Sequence, residues 1–461
     1  MTRAADARRT SPLVDERGLR SIARIADHPC APRWNRGAGD RLHREDVGAV
    51  LAFRDDLARH REPFGTRPPE RLLAWTRARR PLVPSWRARV PEASHLEREW
   101  TGIPTTSRED LALRPESMVP DDVDLARMIV YRTAGTTGHA LLVPHDPRAA
   151  ACYLPLLEQA LSLRGTGARF GEDDVVMLVG AQTNTVTYAT ALAVWDQAGF
   201  AKLNLSPGEW PSEDAPRRFF ADLAPALLTG DPVAFAELMG RGVRTRPRAL
   251  VTTAVAMTDA LRSRLEAWFQ APVIDWYSLT ETGPIGYGCA RGGAFHVLSH
   301  DVFVEALDGA GAPVAPGERG EITVSGGRNP FLPLLRYRTG DWGRLDFAPC
   351  ACGDPMPRIV DLEGRAPVLL RSATGGRVNP VDVSGVLRAH PIVQQELVQR
   401  ADGACELCLR AAPGQPLDLG LVERDLRALF GDLRLTVRLD PALGDRTGKV
   451  VPYRSDLPFE E

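Results

Sequence analysis

The chain has 461 residues, of which 44% are apolar and 25% charged, with a formal net charge of −2. That length exceeds one compact core and predicts at least two domains, while the near-neutral balance excludes bulk attraction to nucleic acid or an anionic membrane. Seven widely spaced cysteines do not read as a secreted disulfide framework, residues 1–30 lack an apolar signal core, and no apolar run approaches the roughly 20 residues of a membrane span, so a cytoplasmic protein is expected.

Residues 1–45 are polar and Arg-rich, broken at Pro12, Pro29 and Pro32, and read as loosely ordered or as an arm on the main domain. Residues 46–125 read as mostly helical, with breaks near Pro81 and Pro84. Met128 to Tyr131 is a short apolar run leading into a Gly/Thr-rich turn. Asp146–Pro147 then reads as an N-cap and first helical position, opening a helix through Leu161 with a kink at Pro155. Asp174 to Val179 reads as a buried strand, Thr187 to Ala198 as a helix, and Phe200 to Leu205 as a strand. Ala249 to Thr253 is strand-like, Thr258 to Trp268 an amphipathic helix, and Val273 to Leu279 a strand again. This alternation predicts an α/β fold, doubly wound, with mostly parallel strands and ligands at their C-terminal ends.

After Pro284 the texture turns β-rich and Gly/Pro-punctuated, as in Gly320 to Val324 and Leu334 to Tyr337. A boundary is expected near Gly364–Arg365. The division is an arm over 1–45, a large domain over 46–363 with a β-rich subdomain, and a small mobile α+β domain over 364–461. The last carries strand-like runs at Val393 to Val398, Glu406 to Arg410 and Leu433 to Leu439, with a helix over Leu421 to Phe430.

Four motifs carry chemistry. Tyr131-Arg-Thr-Ala-Gly-Thr-Thr-Gly138 follows a strand with small and hydroxyl residues; Thr133, Thr136 and Thr137 offer hydroxyls to a phosphate, and Gly135 and Gly138 let the backbone approach it. The alternative is a plain Gly/Thr turn. Tyr277-Ser-Leu-Thr-Glu-Thr-Gly283 puts Glu281 at a strand end, suited to a magnesium ion that bridges phosphates, with Tyr277 able to pack against a base and Thr280 beside it. A solvated Glu in a turn is the alternative there. Leu335-Arg-Tyr-Arg-Thr-Gly-Asp341 ends in an aspartate that can accept two ribose hydroxyl hydrogen bonds, or can be a turn residue beside structural arginines. Arg446-Thr-Gly-Lys449 holds one of only two lysines, the other being Lys202, in a chain whose cations are otherwise arginine. A compact ammonium suits an acyl-phosphate centre better than a planar guanidinium.

In order and spacing these motifs resemble the adenylate-forming superfamily of acyl-CoA synthetases, adenylation domains and luciferases, and most of all its phenylacetate–CoA ligase branch. Ile103-Pro-Thr-Thr-Ser-Arg-Glu-Asp110 and Pro349-Cys-Ala-Cys-Gly-Asp-Pro-Met-Pro-Arg-Ile359, followed by Gly364-Arg365, are similar to segments of that branch. The resemblance implies ATP phosphates on Thr133 to Gly138, magnesium on Glu281, adenine near Tyr277, and ribose on Asp341. It further implies ribose or phosphate on Arg365, a domain hinge near Arg365, and Lys449 bridging the substrate carboxylate and the α-phosphate. The implied reaction is adenylation of a carboxylic acid with loss of pyrophosphate, then transfer to CoA; a homodimer is common in similar proteins.

Three features depart from the pattern. His139 and Ala140 follow Gly138 where the family usually has Lys-Pro, Ala366-Pro367 follow the hinge where an acidic residue is common, and the loop Arg371 to Pro380 is longer. They leave open a non-CoA acceptor (an amine, a carrier-protein arm or a small inorganic nucleophile) or a non-catalytic nucleotide-binding homologue. Cys289, His296, Cys350 and Cys352 form a closed structural zinc set by donor type, or else reduced, partly buried thiols. The acid pocket is expected from Gly180 to Tyr188, Ala254 to Met257 and the Ser278 region, with Tyr188, Ala254 and Ser278 as lining residues for an aryl or arylacetic acid.

Overall fold

The computed structural model describes residues 3–92, 94–132, 141–181, 185–253, 257, 259–363, 368, 370–387, 389–411, 416–441, 443 and 453–457. These fall into two compact units. One comprises those within Met1–Tyr131, Leu142–Gly180 and Val186–Arg365; the other comprises those within Arg132–Leu141, Ala181–Thr185 and Ala366–Glu461.

Strands β1 (Ile129–Arg132) and β2 (Leu142–His145) form a two-stranded ribbon. A twelve-stranded sheet follows. Its strands are β3 (Val175–Gly180), β4 (Tyr188–Leu192), β5 (Ala198–Asn204), β6 (Leu227–Gly230), β7 (Ala249–Thr252), β8 (Val273–Leu279), β9 (Gly283–Gly288), β10 (Ala294–Val297), β11 (Val302–Leu307), β12 (Arg319–Gly326), β13 (Leu334–Asp346) and β14 (Arg358–Glu363). The spatial order is β11-β12-β13-β14-β10-β9-β8-β7-β6-β3-β5-β4. Strands β5, β3, β6, β7 and β8 run parallel, and β4 closes one edge antiparallel. From the β8–β9 pair onward every pairing is antiparallel. The α/β class is thus present, and the β-rich half is continuous with the parallel half through one seam.

Burial explains the layers. Register partners Val176 and Leu227, then Val251 and Ile274, share one face of the parallel half. They join a cluster with Val50 and Leu57 of the helix Arg44–Arg59 and Leu156, Ala160 and Leu161 of the helix Tyr153–Leu163. A second cluster, with Ile285, Val304, Ile322 and Ile359, fills the antiparallel half. At about 25 cal/mol per Å² of apolar surface, such clusters supply the main driving force for folding.

One local expectation is revised. The segment 187–198 is not a helix: it is β4 followed by a short 3₁₀ turn at Ala193–Trp195, then β5. Asp196 and Gln197 take positive φ values of 45° and 67°, which reverse the chain into an antiparallel hairpin. The apolar run Ala189 to Trp195 satisfies either period, and packing between β5 and the N-terminal helix decided for strand. That helix, Glu16–Ala26, decides between the two readings of the N-terminal segment in favour of an arm on the large domain: it is ordered, capped by Asp15, and buries Ile22 and Ile25, with Ile25 against Gly199 of β5. The Pro155 break is seen as two helices, Pro147–Ala151 and Tyr153–Leu163. The proline ring lacks an N–H and crowds the carbonyl four residues back, at Ala151.

In the second unit β15 (Leu370–Arg371) and β16 (Arg377–Val378) form a hairpin. Strands β17 (Ile392–Gln399), β18 (Cys405–Ala411), β19 (Leu435–Leu439) and β20 (Tyr453–Ser455) make a sheet of order β19-β18-β17-β20. The helices Pro380–Leu387 and Leu419–Phe430 share a core with this sheet through Val383, Leu387, Val422, Leu426 and Leu407. Asp418 caps the second helix and Gly431, at φ 71°, ends it.

Candidate active site

The seam between parallel and antiparallel halves is a three-residue turn, Thr280-Glu281-Thr282, joining β8 to β9. Gly283 then adopts φ 68°, and a Cβ there would lie 2.5 Å from the Tyr153 hydroxyl. Only glycine meets both demands. The turn holds Glu281 nearly buried, at 4% exposure. Its Oε1 accepts from the Tyr337 hydroxyl at 2.6 Å and faces Arg108 at 3.3 Å. Its Oε2 has no hydrogen-bond partner among the described residues.

Arg108 arrives from a distant segment for a definable reason. Thr106 forms a parallel bridge with Tyr337 of β13: Thr106 N–H donates to the Arg336 carbonyl (3.0 Å), and the Arg338 N–H donates to the Thr106 carbonyl (2.8 Å). Ser107 and Asp110 then make a reciprocal capping box that starts the helix Arg108–Leu113. Arg108 is the first residue of that helix, beside the carboxylate. The motif arginines of β13 are anchors: Arg336 is buried and donates to the carbonyls of Thr101, Ile103 and Gly311, and Arg338 pairs with Glu321.

Asp341 lies further along β13, half-buried. Its Oδ2 accepts from the Tyr277 hydroxyl at 3.0 Å, and its N–H donates to Thr339 Oγ1 at 3.1 Å. The ring of Tyr277 is 9% exposed and packs at 5.9 Å from Phe295. It belongs to the core cluster of the antiparallel half, and its hydroxyl holds Asp341. Burial first, then the charges of Asp341 and Glu281, push both Tyr277 and Tyr337 well above the usual phenol range. Both phenols remain protonated donors, and each feels both carboxylates.

Thr280 contributes its carbonyl, which accepts from His145 Nε2 at 2.9 Å. His145 is 1% exposed; burial depresses its pKa, so the ring is neutral at pH 7 with Nε2 as donor. Its buried Nδ1 has no partner among the described residues, and Tyr131 stands edge-on at 5.1 Å. Sequence reasoning missed His145, Arg108 and Tyr337. Two of them stood inside quoted motifs without being singled out, Arg108 in Ile103 to Asp110 and Tyr337 in Leu335 to Asp341.

Tyr188 and Ser278 are half-buried on β4 and β8. Tyr188 is the register partner of Lys202 on β5, and its ring lies 5.9 Å from Phe200. Burial lowers the pKa of Lys202, and no carboxylate pairs with it among the described residues. Its rarity in the chain was the signal available. Thr133, Gly135, Thr136, Thr137, Gly138, Ala254, Arg365 and Lys449 lie outside the described residues.

A second cluster is built by two hairpin ends. Cys289 closes β9, His296 lies on β10, and Cys350 and Cys352 sit between β13 and β14; β10 pairs with β14, which brings the ends together. The four donor atoms all lie within 4.8 Å of one another. Cys289 Sγ is 3.6 Å from Cys350 Sγ, and Cys352 Sγ is 3.2 Å from His296 Nε2. His296 Nδ1 faces the Met356 carbonyl at 3.2 Å, which leaves Nε2 for the cluster. All seven cysteines are free of disulfides. Among the described residues no helix is long and apolar enough to cross a membrane.

No protein-family model matches the chain. It is 26% identical over 361 residues to phenylacetate–coenzyme A ligase of Thermus thermophilus, covering 73% of this chain and 78% of that one. Its fold is similar to that of 2-hydroxyisobutyryl-CoA ligase solved with 2-HIB-AMP and CoA in the thioesterification state. The TM-score is 0.54 at 16% identity, over 90% of this chain and 91% of that one. An open conformation of the same ligase gives 0.52 at 15% identity, over 83% and 90%. The chain is a homologue of phenylacetate–coenzyme A ligase and has the fold of the acyl-CoA ligases.

Proposed function

We propose that the protein is an ATP-dependent ligase that converts a carboxylic acid, of aryl or arylacetic type, to its acyl-adenylate and passes the acyl group to CoA. The observation that carries this reading is the pair of carboxylates at the sheet seam. Glu281 and Asp341 are each held by a buried phenol, and each lies at a motif position of the resemblance.

In the first step an oxygen of the substrate carboxylate bonds to the α-phosphorus of ATP, and the bond to pyrophosphate breaks. In the second, the CoA thiol gives up its proton and bonds to the acyl carbon, and AMP leaves. No covalent enzyme intermediate is needed, so the protein acts by positioning and charge neutralisation. Asp341 is suited to ribose hydroxyls, with Tyr277 fixing its direction. Glu281 suits a magnesium ion, since its Oε2 is unclaimed by the described residues while Tyr337 and Arg108 fix Oε1. Magnesium would neutralise the phosphates there. Thr133 to Gly138 would carry the phosphates, Arg365 the ribose or phosphate, and Lys449 the carboxylate–phosphate centre.

The Cys289, His296, Cys350 and Cys352 set fits a structural zinc ion. Three thiols and one imidazole within 4.8 Å, with the imidazole oriented from behind, match a closed tetrahedral site with no open position for chemistry.

The test is pyrophosphate exchange into ATP across aryl, arylacetic and small aliphatic acids without CoA. Exchange that depends on one acid, abolished in Lys449→Ala with ATP binding retained, is the expected result. Absence of exchange with every acid would overturn the adenylation reading. Mass spectrometry of the full reaction then tests the acceptor: an acyl-CoA product is expected, and an acylated amine or carrier in its place would remove CoA.

A further inference from the structure

A cavity of about 690 Å³ opens in the first unit, lined by Arg9, Arg36, Arg41, His43 and Arg127 with small residues between them. None of its lining residues is acidic. Arg127 is paired at 2.6 Å with Asp46, a buried carboxylate, and Arg9 lies 4.0 Å from Asp6 in an exposed pair. Arg36 and Arg41 have no carboxylate partner among the described residues. Arg127 also feels the charges of Asp146 and Glu45. The lining itself carries four arginines and a histidine and no carboxylate, a local excess of positive charge that favours an anion.

The backbone at this cavity is built, not loose. Arg41 adopts φ 54°, a region where a non-glycine residue is strained. It is held there because its N–H donates to the Thr10 carbonyl (2.9 Å) and because Asp40 accepts from the Leu42 and Ala193 N–H groups. Glycine would occupy that position without strain. Arg41 is also within electrostatic reach of the Tyr131 hydroxyl, and Tyr131 opens the Gly/Thr loop.

We infer that this cavity is a second anion site that takes closely spaced phosphate groups, with Arg36 and Arg41 as the principal ligands. Planar guanidinium forks match phosphate oxygens two at a time, and Arg36 and Arg41 are both exposed, within reach of a ligand from solvent. Given the adenylation reading, on which the choice of ligand rests, two sources offer that chemistry. One is the pyrophosphate released by the first step; the other is the phosphate-bearing end of CoA.

The experiment is calorimetric titration of the full chain with its nucleotide site filled by α,β-methylene-ATP, using pyrophosphate in one arm and CoA in the other. Wild type is compared with the double variant Arg36→Ala/Arg41→Gly. Wild type is expected to bind at least one of the two probes with an affinity that falls as salt rises, and the double variant to bind that probe at least tenfold more weakly. Its melting temperature should be unchanged or higher, because Arg41→Gly relieves the positive φ. Weakening confined to pyrophosphate assigns the site to the leaving group, and weakening confined to CoA assigns it to the acceptor. Weakening of both supports the shared phosphate chemistry. Equal affinities in the two proteins, or no binding of either probe to wild type at millimolar concentration, would overturn the inference. No acid and no turnover enter the measurement, so a failed exchange assay and a failed titration remain distinguishable.

Discussion

The Tyr337 hydroxyl donates to Glu281 across 2.6 Å, and the two residues are 56 positions apart in sequence. One lies on β13 and the other in the β8–β9 turn, so the bond spans several strands of the sheet. Removing it in Tyr337→Phe leaves the Glu281 carboxylate with Arg108 alone among the described residues. A hydrogen bond to a charged group contributes about 1.5–3 kcal/mol net. A drop in folding stability of that order is expected, with exchange activity that needs more magnesium for half-saturation. Titrating exchange against magnesium checks this; an unchanged magnesium curve would separate Tyr337 from the metal-binding role of Glu281.

Tyr277→Phe should act on the other carboxylate. The ring and its packing against Phe295 are kept, while Asp341 loses the donor at 3.0 Å. The expectation is a several-fold rise in the KM for ATP with little change in kcat, and a much larger effect for Asp341→Asn. If Tyr277→Phe matched wild type in both constants, Asp341 would be positioned by its other contacts.

One equivalent of zinc is expected in protein purified without chelators. Cys352→Ser should lower that content and the melting temperature together, because removing one of four ligands undoes binding energy that is also folding energy. Residues at the sheet seam are not part of the cluster, so refolded, zinc-free protein that stays soluble should keep measurable ATP affinity. Plasma emission analysis and thermal melts check both; metal-free protein with an unshifted melt would dismiss a structural zinc.

Lys202 gives a pH signature. Burial disfavours its charged form, so its folded pKa lies below the unfolded value near 10.5. Below both values the folded state carries the full cost of the buried charge. Between them the unfolded chain holds more protons, so stability rises with pH through that window. Lys202→Met should therefore stabilise the protein at pH 7–8, by about 1 kcal/mol, and the gain should shrink as pH approaches 10.5. Denaturant melts at pH 7.5 and 10 measure it. A gain that grew with pH would show that the ammonium is compensated in the folded state.

Much of the site was legible in the sequence because chemistry was written locally. Glu281 stands in a turn at a strand end, Asp341 follows Gly340 within β13, and the Cys/His set is recognisable by donor type alone. The partners of the carboxylates were not legible. Arg108 reaches Glu281 only because Thr106 bridges to Tyr337, a pairing between segments 231 residues apart that no local pattern encodes. The segment 187–198 failed for the opposite reason: its alanines and apolar residues suit helix and strand alike, and the turn at Asp196 and Gln197 was set by tertiary packing. Tyr277 was placed correctly on its strand, yet whether its ring faces a base or the core depends on Phe295 and on the register of the β8–β9 pair.

The β8–β9 turn carries a further implication for how this sequence can change length. Three residues separate the strands, the first supplies a carbonyl to His145, the second is Glu281, and Gly283 immediately after is pinned against Tyr153. One inserted residue would shift the pairing of every strand beyond it or lift the carboxylate out of reach of Tyr337. By contrast, the turn at Ala315–Glu318 closes on itself, the Glu318 N–H donating to the Ala315 carbonyl, and is exposed. Tolerance to insertion should therefore be lowest where the sheet changes polarity and high at the outer hairpins, so that natural or engineered variation in length collects at the rim of the sheet and spares its middle.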